Sequence, residues 1–492
     1  MGRRTLQSLV MCLAFASSGA SAVALNPRGV GDVLIYPYYT VNRGQDTLVT
    51  LVNSADTAKV ARVRFLEGYD GRTVFATYVF LSAHDVWTAG ITQVGDDDGA
   101  KIATVDASCT FPARAAGATP FTSDDFTGAN ADTGPTSITR TREGSIEVIE
   151  AGDIVPGSAA EAAITHVQNG TPGGGMPACA FATGAGAQPI DLADLAPPTG
   201  GLYGSAAIAD VAQGTFFAYD ATSLVGFTDE LPVDDLTDPA QPSLDQAHSA
   251  ESPAAARAYV PVDGIGTVAF DFDHGIDAVS AALMASSISN EYLTDPGLGA
   301  NTDFVITFPT KRFYVDASRY PRAPADPFVE TFHDGQARVT FGIEAYDREE
   351  FFADHSGGCG WPCPGRPPNT LAYEVNVFGF IDDVAAGMPS GVLGSRLTFF
   401  YYDGGLAPRG DAGWAAIDLF SGDGGHVLPG GRSDGEDVTF HGLPVAGFMV
   451  YNVVNANAQP GVLGNYGGAF AHRSTLGCRD IDGLSCPGVV TN

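Results

Sequence analysis

Short β-rich segments separated by turn residues recur along this chain and limit the folds available to it. In residues 59–66, apolar side chains alternate with arginines at 62 and 64, the pattern of a strand with one buried face and one wet face. Asp70-Gly71 predicts a tight hairpin turn, and residues 73–80 have the composition of the partner strand. The N-terminal region therefore predicts antiparallel pairing between neighbouring segments.

The same β character continues along the rest of the sequence. Residues 33–36 predict a strand that stops at Pro37, and later alternating segments lie at 145–148, 304–308, 373–377 and 397–401. Strands spaced about 8–12 residues apart with turn residues between them are typical of antiparallel sandwiches. The sequence predicts a mainly β fold of antiparallel β-sandwich domains, joined by long Gly-, Pro- and Asp-rich loops.

One or two short helices are also expected. Residues 276–292 place Ile276, Val279 and Leu283 on one helical face, and Asp295-Pro296-Gly297 would end that helix. A weaker helical segment covers residues 159–167.

The distribution of proline predicts how the chain divides. Residues 229–257 carry four prolines and are predicted to be a linker, although a long surface loop within one domain explains them almost as well. On the linker interpretation, an N-terminal β-sandwich domain covers residues 23–228 and a C-terminal, mostly β domain covers residues 258–492. The length of the chain agrees with two or three domains.

The first 22 residues have the features of a secretory signal peptide. Arg3 and Arg4 precede an apolar run over residues 9–16, and Ala20 and Ala22 occupy the −3 and −1 positions of a cleavage site. The apolar run is far shorter than the ~20 residues that span a bilayer. We therefore expect export to the periplasm, the cell surface or the medium, with no membrane span after the signal is removed.

The net charge of the chain limits the classes of partner that are expected to bind it. The formal net charge is −32, and Lys59, Lys101 and Lys311 are its only lysines. Such a surface repels phosphate backbones and anionic lipids, so nucleic acid is not expected as a partner. A glycan or protein of the cell envelope is the expected partner, and the plainest interpretation of the charge is a solvated acidic surface.

Six cysteines follow the signal segment, and an even number in an oxidising compartment indicates disulfides. Among fifteen possible pairings, we expect Cys359 with Cys363 and Cys478 with Cys486, because each pair is close in sequence. This leaves Cys109 with Cys179 as the long-range bond. Three residues separate Cys359 from Cys363, whereas dithiol oxidoreductases use two, so a structural bond is favoured.

Clustered carboxylates are the candidates for a metal site. No cofactor is required by any motif, but flexible extracellular loops rich in carboxylates can bind calcium weakly. The candidate ligands lie in three loops, and none has the spacing of an EF-hand. They are Asp96, Asp98, Asp271, Asp273, Asp434 and Glu436.

No motif assembles a catalytic centre. Residues 431–435 fit the G-x-S-x-G pattern, but their flanks are polar and lack the strand and helix of a nucleophile elbow. None of the nine histidines has the spacing of a helical zinc site, and no phosphate-binding loop is present.

Several short blocks of the sequence resemble a group of uncharacterised exported proteins of Gram-negative bacteria, some loosely described as surface-layer-like. The resemblance covers most of the chain after the signal segment, and it brings no established activity and no catalytic residues. The blocks are GDVLIYPYY (31–39), VRFLEGY (63–69), DVWTA (85–89), SNEY (289–292), TFPTK (307–311) and GLPVAGF (442–448).

The functional expectation is a secreted or cell-surface protein with a structural or interaction role and without a recognisable catalytic centre. The alternative is an exported hydrolase of glycans or esters, whose site would be assembled from residues distant in sequence. An outer-membrane β-barrel is a further alternative because its strands also alternate. Several strands with apolar residues on both faces argue against it.

Overall fold

The computed structural model of the protein describes most of the chain beyond the predicted signal peptide. The described residues are 22–95, 98–113, 117–168, 171–172, 175–179, 181, 188–350, 352–354, 369–380, 388–401, 411–420, 425–455 and 458–480. The predictions for the signal segment before residue 22, and for Asp96, Cys359, Cys363 and Cys486, lie outside these residues.

Strands form most of the regular structure. In the first part of the chain they are β1 Val23–Leu25, β2 Val33–Thr40, β3 Asp46–Asn53, β4 Lys59–Glu67, β5 Thr73–Leu81, β6 Val86–Gln93, β7 Ala100–Ala103, β8 Cys109–Phe111, β9 Thr119–Pro120, β10 Glu143–Ile154, β11 Val167–Gln168, β12 Thr171–Pro172, β13 Leu195–Ala196, β14 Leu202–Asp210, β15 Thr215–Asp220, β16 Thr222–Val225, β17 Ala256–Val262 and β18 Gly266–Phe272. In the second part they are β19 Met284–Ala285, β20 Ser287–Leu293, β21 Ala300–Thr307, β22 Val339–Thr340, β23 Gly342–Asp347, β24 Phe352–Asp354, β25 Thr370–Leu371, β26 Val375–Phe380, β27 Thr398–Tyr401, β28 Ala412–Asp418, β29 Val427–Ser433, β30 Glu436–His441, β31 Leu443–Pro444, β32 Ala446–Val453, β33 Tyr466–Ala471, β34 Arg473–Thr475 and β35 Gly477–Asp480. The predicted mainly β architecture with antiparallel sheets is confirmed.

Helices are short and few among the described residues. They are α1 Ala159–Ile164, α2 Gly275–Ala282 and α3 Arg312–Val315, with 3-10 turns at Asn42–Gly44, Gly128–Asn130, Ile138–Arg142, Leu192–Asp194 and Leu244–Gln246. Within the described ranges, none of the helices has the length and apolar character needed to traverse a lipid bilayer.

The predicted helix over residues 276–292 is wrong in its second half. Helix α2 ends at Ala282, and Ser287–Leu293 forms strand β20, which pairs with β28. Ile288, Asn290 and Tyr292 are buried while the residues between them are more exposed, so a two-residue period was present there. The sequence of this segment fits both a helical period and the two-residue period of a strand. Pairing with the distant strand β28 selects the strand.

The strands assemble into one large sheet and three smaller ones, with three additional two-stranded pairs. The large sheet has 13 strands in the order β35-β30-β29-β18-β17-β1-β16-β2-β10-β4-β5-β8, with β13 paired to β10. The smaller sheets have the orders β15-β14-β3-β6-β7-β9, β24-β23-β28-β20-β34 and β27-β26-β21-β32-β33. Pairing is antiparallel except between β1 and β17 and between β26 and β27.

Strand β1 joins the two halves of the large sheet. It pairs with β16 on one side and with β17 on the other, so residues 23–25 lie between strands from the two predicted domains. The two largest hydrophobic cores also contain residues from both segments. The division at residues 229–257 stays a prediction, and the segments that it separates share a sheet and two cores.

Strand β2 continues through Pro37 instead of stopping there. Its register against β10 shifts at this point, with Tyr36 opposite Ile146 and Tyr39 opposite Gly144. A β-bulge tolerates proline because the bulged residue does not need its N–H for the ladder. All eight residues of β2 are buried, which places this strand in the centre of the molecule.

Candidate functional site

A cavity of about 420 Å³ opens where three distant parts of the chain meet. Its walls are β4 with the hairpin turn that follows it, the segment 238–246, and residues 312–320. We call it the charged cleft, because four arginines and four aspartates line it among the described residues. They are Arg64, Arg72, Arg312, Arg319, Asp70, Asp238, Asp245 and Asp316. The volume falls within the ~300–1,000 Å³ typical of small-molecule sites.

Glu147, in β10, holds two of these arginines behind the cleft. Its carboxylate oxygens accept hydrogen bonds from Arg64 Nη1 at 3.1 Å and Arg312 Nη2 at 2.5 Å, and all three side chains are buried. Burial alone would raise the pKa of Glu147, but the charges of Arg312 and Arg64 outweigh it and lower the pKa. Glu147 therefore stays ionised and fixes both guanidinium groups.

Arg312 extends the network to Glu374, beside β26. Its Nη1 lies 3.4 Å from Glu374 Oε1, while Glu374 Oε2 has no hydrogen-bond partner among the described residues. Burial raises the pKa of Glu374 to about 8 despite the opposing charge of Arg312. This carboxyl group lies under the hairpin turn, where a side chain in place of Gly71 would collide with it.

Arg72 bridges two aspartates that line the cleft. Its Nη2 lies 2.7 Å from Asp316 Oδ2, and its Nε lies 3.4 Å from Asp70 Oδ2. Burial raises the pKa of Asp70 well above its usual value, and the nearby carboxylate of Asp316 raises it further. Asp70 Oδ1 has no hydrogen-bond partner among the described residues. Asp70 is therefore protonated more readily than an ordinary aspartate.

The hairpin turn that carries Asp70 and Arg72 is held by a buried clamp. Glu67, the last residue of β4, accepts backbone N–H bonds from Tyr69, Asp70 and Arg72 at 2.7–3.0 Å. Arg140 binds both Glu67 oxygens, at 2.7 Å and 2.9 Å, in a bidentate ion pair with no exposed surface. Such planar pairs fix geometry as well as charge. Glu67 and Arg140 therefore hold the turn that forms this wall of the cleft.

The segment 238–246, which we call the strap, closes the cleft from the side of the predicted linker. Arg64 donates hydrogen bonds to the carbonyl oxygens of Pro239 and Pro242, and the hydroxyl of Tyr78 donates to the carbonyl oxygen of Gln241 at 2.8 Å. The predicted wet face of residues 59–66 is wrong because every residue of β4 is buried. The strap and Glu147 cover the face of β4 on which its arginines lie.

The outer rim of the cleft is open to solvent. Arg319 is about one-third exposed and pairs with Asp125 at 2.6 Å, and Asp245 on the strap is exposed. Tyr320 lies beside them with its ring 4.6 Å from that of Phe313. A ligand would therefore meet charged groups and one aromatic ring first, before it reached the buried network.

The chemistry of the cleft favours hydroxyl groups over strong anions. Arg64, Arg72, Arg312 and Arg319 each already bind a carboxylate, so an incoming anion would have to displace one. Alternating fixed donors and acceptors can instead accept and donate hydrogen bonds to a ligand with several hydroxyl groups. The arrangement suits a polyhydroxylated, uncharged ligand.

The predicted calcium ligands lie apart from this cleft. Asp271 pairs with Arg257 at 2.8 Å, and Asp273 pairs with Arg432 at 2.7 Å, so arginines occupy both carboxylates. No group of three or more His, Cys, Asp or Glu side chains in the described part of the chain is arranged to hold a metal ion. Calcium binding stays a prediction.

The other candidate ligands among the described residues, Asp98, Asp434 and Glu436, are exposed. Asp98 follows the end of β6, and Asp434 occupies the turn between β29 and β30 with a φ of 52°. Glu436 lies opposite Ser433 at the start of β30. The G-x-S-x-G motif therefore forms a β-hairpin, which lacks the strand-to-helix turn that exposes a nucleophilic serine.

The long-range disulfide predicted from the sequence is present. Cys109, in the edge strand β8, is bonded to Cys179 across 70 residues of sequence. Cys478, in β35, is also disulfide-bonded. The bond between Cys109 and Cys179 ties the edge of the large sheet to the segment that follows α1.

Sequence reasoning missed the residues of the charged cleft, although β10 carried a signal. Four carboxylates, Glu143, Glu147, Glu150 and Asp153, lie in a strand whose twelve residues are all buried. Acidic residues inside an otherwise apolar strand indicate buried cationic partners. Lys59 is such a cationic partner near the C-terminal end of β10, where its ammonium lies 2.8 Å from Glu150 Oε1.

Comparisons of the chain with protein-family models, with curated proteins and with solved structures find no match. The functional argument therefore rests on the residues and the geometry of the charged cleft.

Proposed function

We propose that this protein is exported and acts in the cell envelope as a non-catalytic binding protein, with an uncharged glycan in its charged cleft. The signal-like N-terminal segment supports export, and the bond between Cys109 and Cys179 suits an oxidising compartment. N-terminal sequencing of protein recovered from fractionated cells tests this part. A chain that begins at Val23 outside the cytoplasm is expected, and an unprocessed cytoplasmic chain would refute export.

One observation carries the binding role: four guanidinium groups and four carboxyl groups line one cavity, and carboxylates outside the cavity hold three of the guanidinium groups. Glu147 binds Arg64 and Arg312, and Asp125 binds Arg319, before any ligand arrives. Preorganised donors and acceptors lower the entropic cost of binding.

The charge of the whole chain favours an uncharged ligand. A net charge of −32 repels polyanions over a distance of about one Debye length, ~8 Å at physiological ionic strength. Acidic polysaccharides therefore meet an unfavourable field before they reach the arginines. A neutral oligosaccharide is not repelled in this way, and its hydroxyl groups can bond both the arginines and the aspartates that line the cleft.

Asp70 favours an exported glycan hydrolase as the second candidate. Burial and the neighbouring Asp316 raise its pKa, which is the condition of a general acid, and the two residues lie on either side of Arg72. A hydrolase would need these two carboxyl groups to flank the bond that is cleaved. Turnover of an oligosaccharide that Asp70→Asn abolishes would replace the binding proposal with this one.

Binding to a printed array of neutral oligosaccharides, with purified mature protein, tests the cleft. The variants Arg319→Gln and Asp245→Asn alter exposed rim groups and leave the ion pairs of Glu147 and Arg72 in place. We expect each to weaken binding about tenfold, the loss of one or two good hydrogen bonds. Arg338→Gln is the matched control, since Arg338 is an exposed arginine that pairs with Glu330 and does not line the cleft. Equal binding by the rim variants and the control would refute a site in the cleft.

A further inference from the structure

A second cavity, of about 360 Å³, has the opposite character to the charged cleft. It lies where β20 and β21 meet β32 and β33, and it shares no lining residue with the cleft. Its walls are mostly aromatic and aliphatic. They include Tyr292, Leu293, Met449, Tyr451, Tyr466 and Phe470. We call this cavity the aromatic groove.

Two rings of the groove stand in solvent. Tyr466 is 56% exposed and Phe470 is 52% exposed, although both are large side chains in strand β33. The ring of Phe470 lies parallel to that of Tyr451 on the neighbouring strand, at 5° and with centroids 6.2 Å apart. Contiguous apolar patches on a protein surface often mark binding sites. Flat, parallel rings present surfaces on which another ring can stack.

A charged pair lies at the edge of these rings. Arg473 Nη1 is 3.2 Å from Glu291 Oε2, and both side chains are more than half exposed and line the groove. The pair is neutral overall and offers hydrogen-bond donors and acceptors side by side. It therefore adds polar recognition to an otherwise apolar cavity without attracting ions of either sign.

A second aromatic surface lies on the other side of Glu291. In the sheet register, Glu291 is directly opposite Trp414, and Trp414 is directly opposite Tyr346. Residues directly opposite each other in a sheet point to the same face. The rings of Trp414 and Tyr346 stack at 4.8 Å and 13°, and Trp414 is 44% exposed. Aromatic surface thus flanks the charged pair on both sides.

We propose that the aromatic groove and the adjoining Trp414 surface bind an extended, uncharged glycan chain of several pyranose units. Pyranose rings have apolar C–H faces that stack on Phe470 and Trp414, and equatorial hydroxyl groups that reach Glu291 and Arg473. An acyl chain would fit the apolar walls but would strip water from the charged pair without replacing its hydrogen bonds. The net charge of −32 disfavours an acidic glycan here as in the cleft.

The inference does not depend on binding in the charged cleft. It predicts a separate site whose affinity rises with chain length, because the two aromatic surfaces can be engaged together only by several linked sugar units.

Titration of purified mature protein with cello- and chito-oligosaccharides of two, four and six units, together with the neutral oligosaccharide array, tests the proposal. We expect Phe470→Ala to weaken binding of all lengths by roughly tenfold. Trp414→Ala should weaken binding of the longest oligosaccharides by a similar factor and leave the shortest unchanged. Phe216→Ala is the matched control, since Phe216 is 59% exposed in β15 and does not line the groove.

Two results would overturn the proposal. One is the absence of binding to every oligosaccharide tested; the other is equal affinity of Phe470→Ala, Trp414→Ala and Phe216→Ala with thermal unfolding unchanged. The rim variants Arg319→Gln and Asp245→Asn separate this result from the proposal for the cleft. Loss of binding in the rim variants alone would support the cleft and refute the groove, and the reverse pattern would do the opposite.

Discussion

Glu147 and Arg312 form a buried ion pair of 2.5 Å across 165 residues of sequence. The pair connects β10 of the large sheet to helix α3, and Arg64 binds the second oxygen of the same carboxylate. Removal of one member of such a pair leaves an uncompensated buried charge, which costs far more than the net value of the intact pair. The charged cleft is therefore expected to be a structural unit as well as a binding surface.

Arg312→Ala should lower the free energy of unfolding by about 3–5 kcal/mol, because Glu147 loses one of its two cations and Glu374 loses the guanidinium that lies 3.4 Å from its Oε1. Urea denaturation followed by circular dichroism measures the change. Arg338→Ala removes an exposed pair of 3.6 Å with Glu330 and should cost no more than ~1 kcal/mol. Similar losses in the two variants would contradict the structural role of the buried pair.

Local pattern was enough to predict much of the sheet structure. The alternation in residues 59–66, the Asp70-Gly71 turn and residues 73–80 correspond to β4, its hairpin and β5. These features depend on neighbours in sequence, so a single sequence contains the information for them. The bond between Cys109 and Cys179 was also predictable, because cysteine pairing is limited to a small set of choices.

The charged cleft was not predictable in the same way. Whether Arg64 faces water or Glu147 depends on β10 and on the strap, which lie about 80 and 175 residues further along the chain. The same is true of residues 287–293, which became a strand through pairing with β28. In each case the contact that determines the structure is with residues distant in sequence, and local periodicity does not indicate it.

The stability of the protein should fall as the pH rises from about 5 to 8, in part because of Glu374. Its pKa is raised from an ordinary 4.5 to about 8 by burial, so the folded state binds a proton that the unfolded state releases. The stabilisation is complete below pH 4.5 and is lost as the pH passes through 8. Glu374→Gln should flatten this dependence by an amount on the order of 3 kcal/mol between pH 5 and 9. Urea titrations across that range measure it. The exposed Glu344→Gln serves as the control, and an unchanged slope in Glu374→Gln would show that the fold does not raise the pKa of Glu374.

Removal of the bond between Cys109 and Cys179 should cost about 2–4 kcal/mol, because it closes a loop of 70 residues in the unfolded chain. Thermal unfolding of Cys109→Ser, Cys179→Ser and the double variant measures the effect. All three lack the same bond, so their midpoints should fall by similar amounts. A single variant that retained the midpoint of the natural chain would show that the bond contributes nothing to stability.

Tyr78→Phe should loosen the strap without unfolding the sheet beneath it. The hydroxyl of Tyr78 donates to the carbonyl oxygen of Gln241 at 2.8 Å, and its loss should cost about 0.5–1.5 kcal/mol of local stability. A protease that cleaves after acidic residues should then cut after Asp238 or Asp245, the two acidic residues of the strap, several-fold faster, as measured by mass spectrometry of the released ends. Tyr203→Phe is the control, since Tyr203 is 43% exposed in β14 and lies outside the cleft.

Because the strap forms one wall of the charged cleft, Tyr78→Phe should also weaken oligosaccharide binding there, whereas Tyr203→Phe should not. Equal cleavage rates in the two variants would show that the hydrogen bond of Tyr78 does not hold the strap in place.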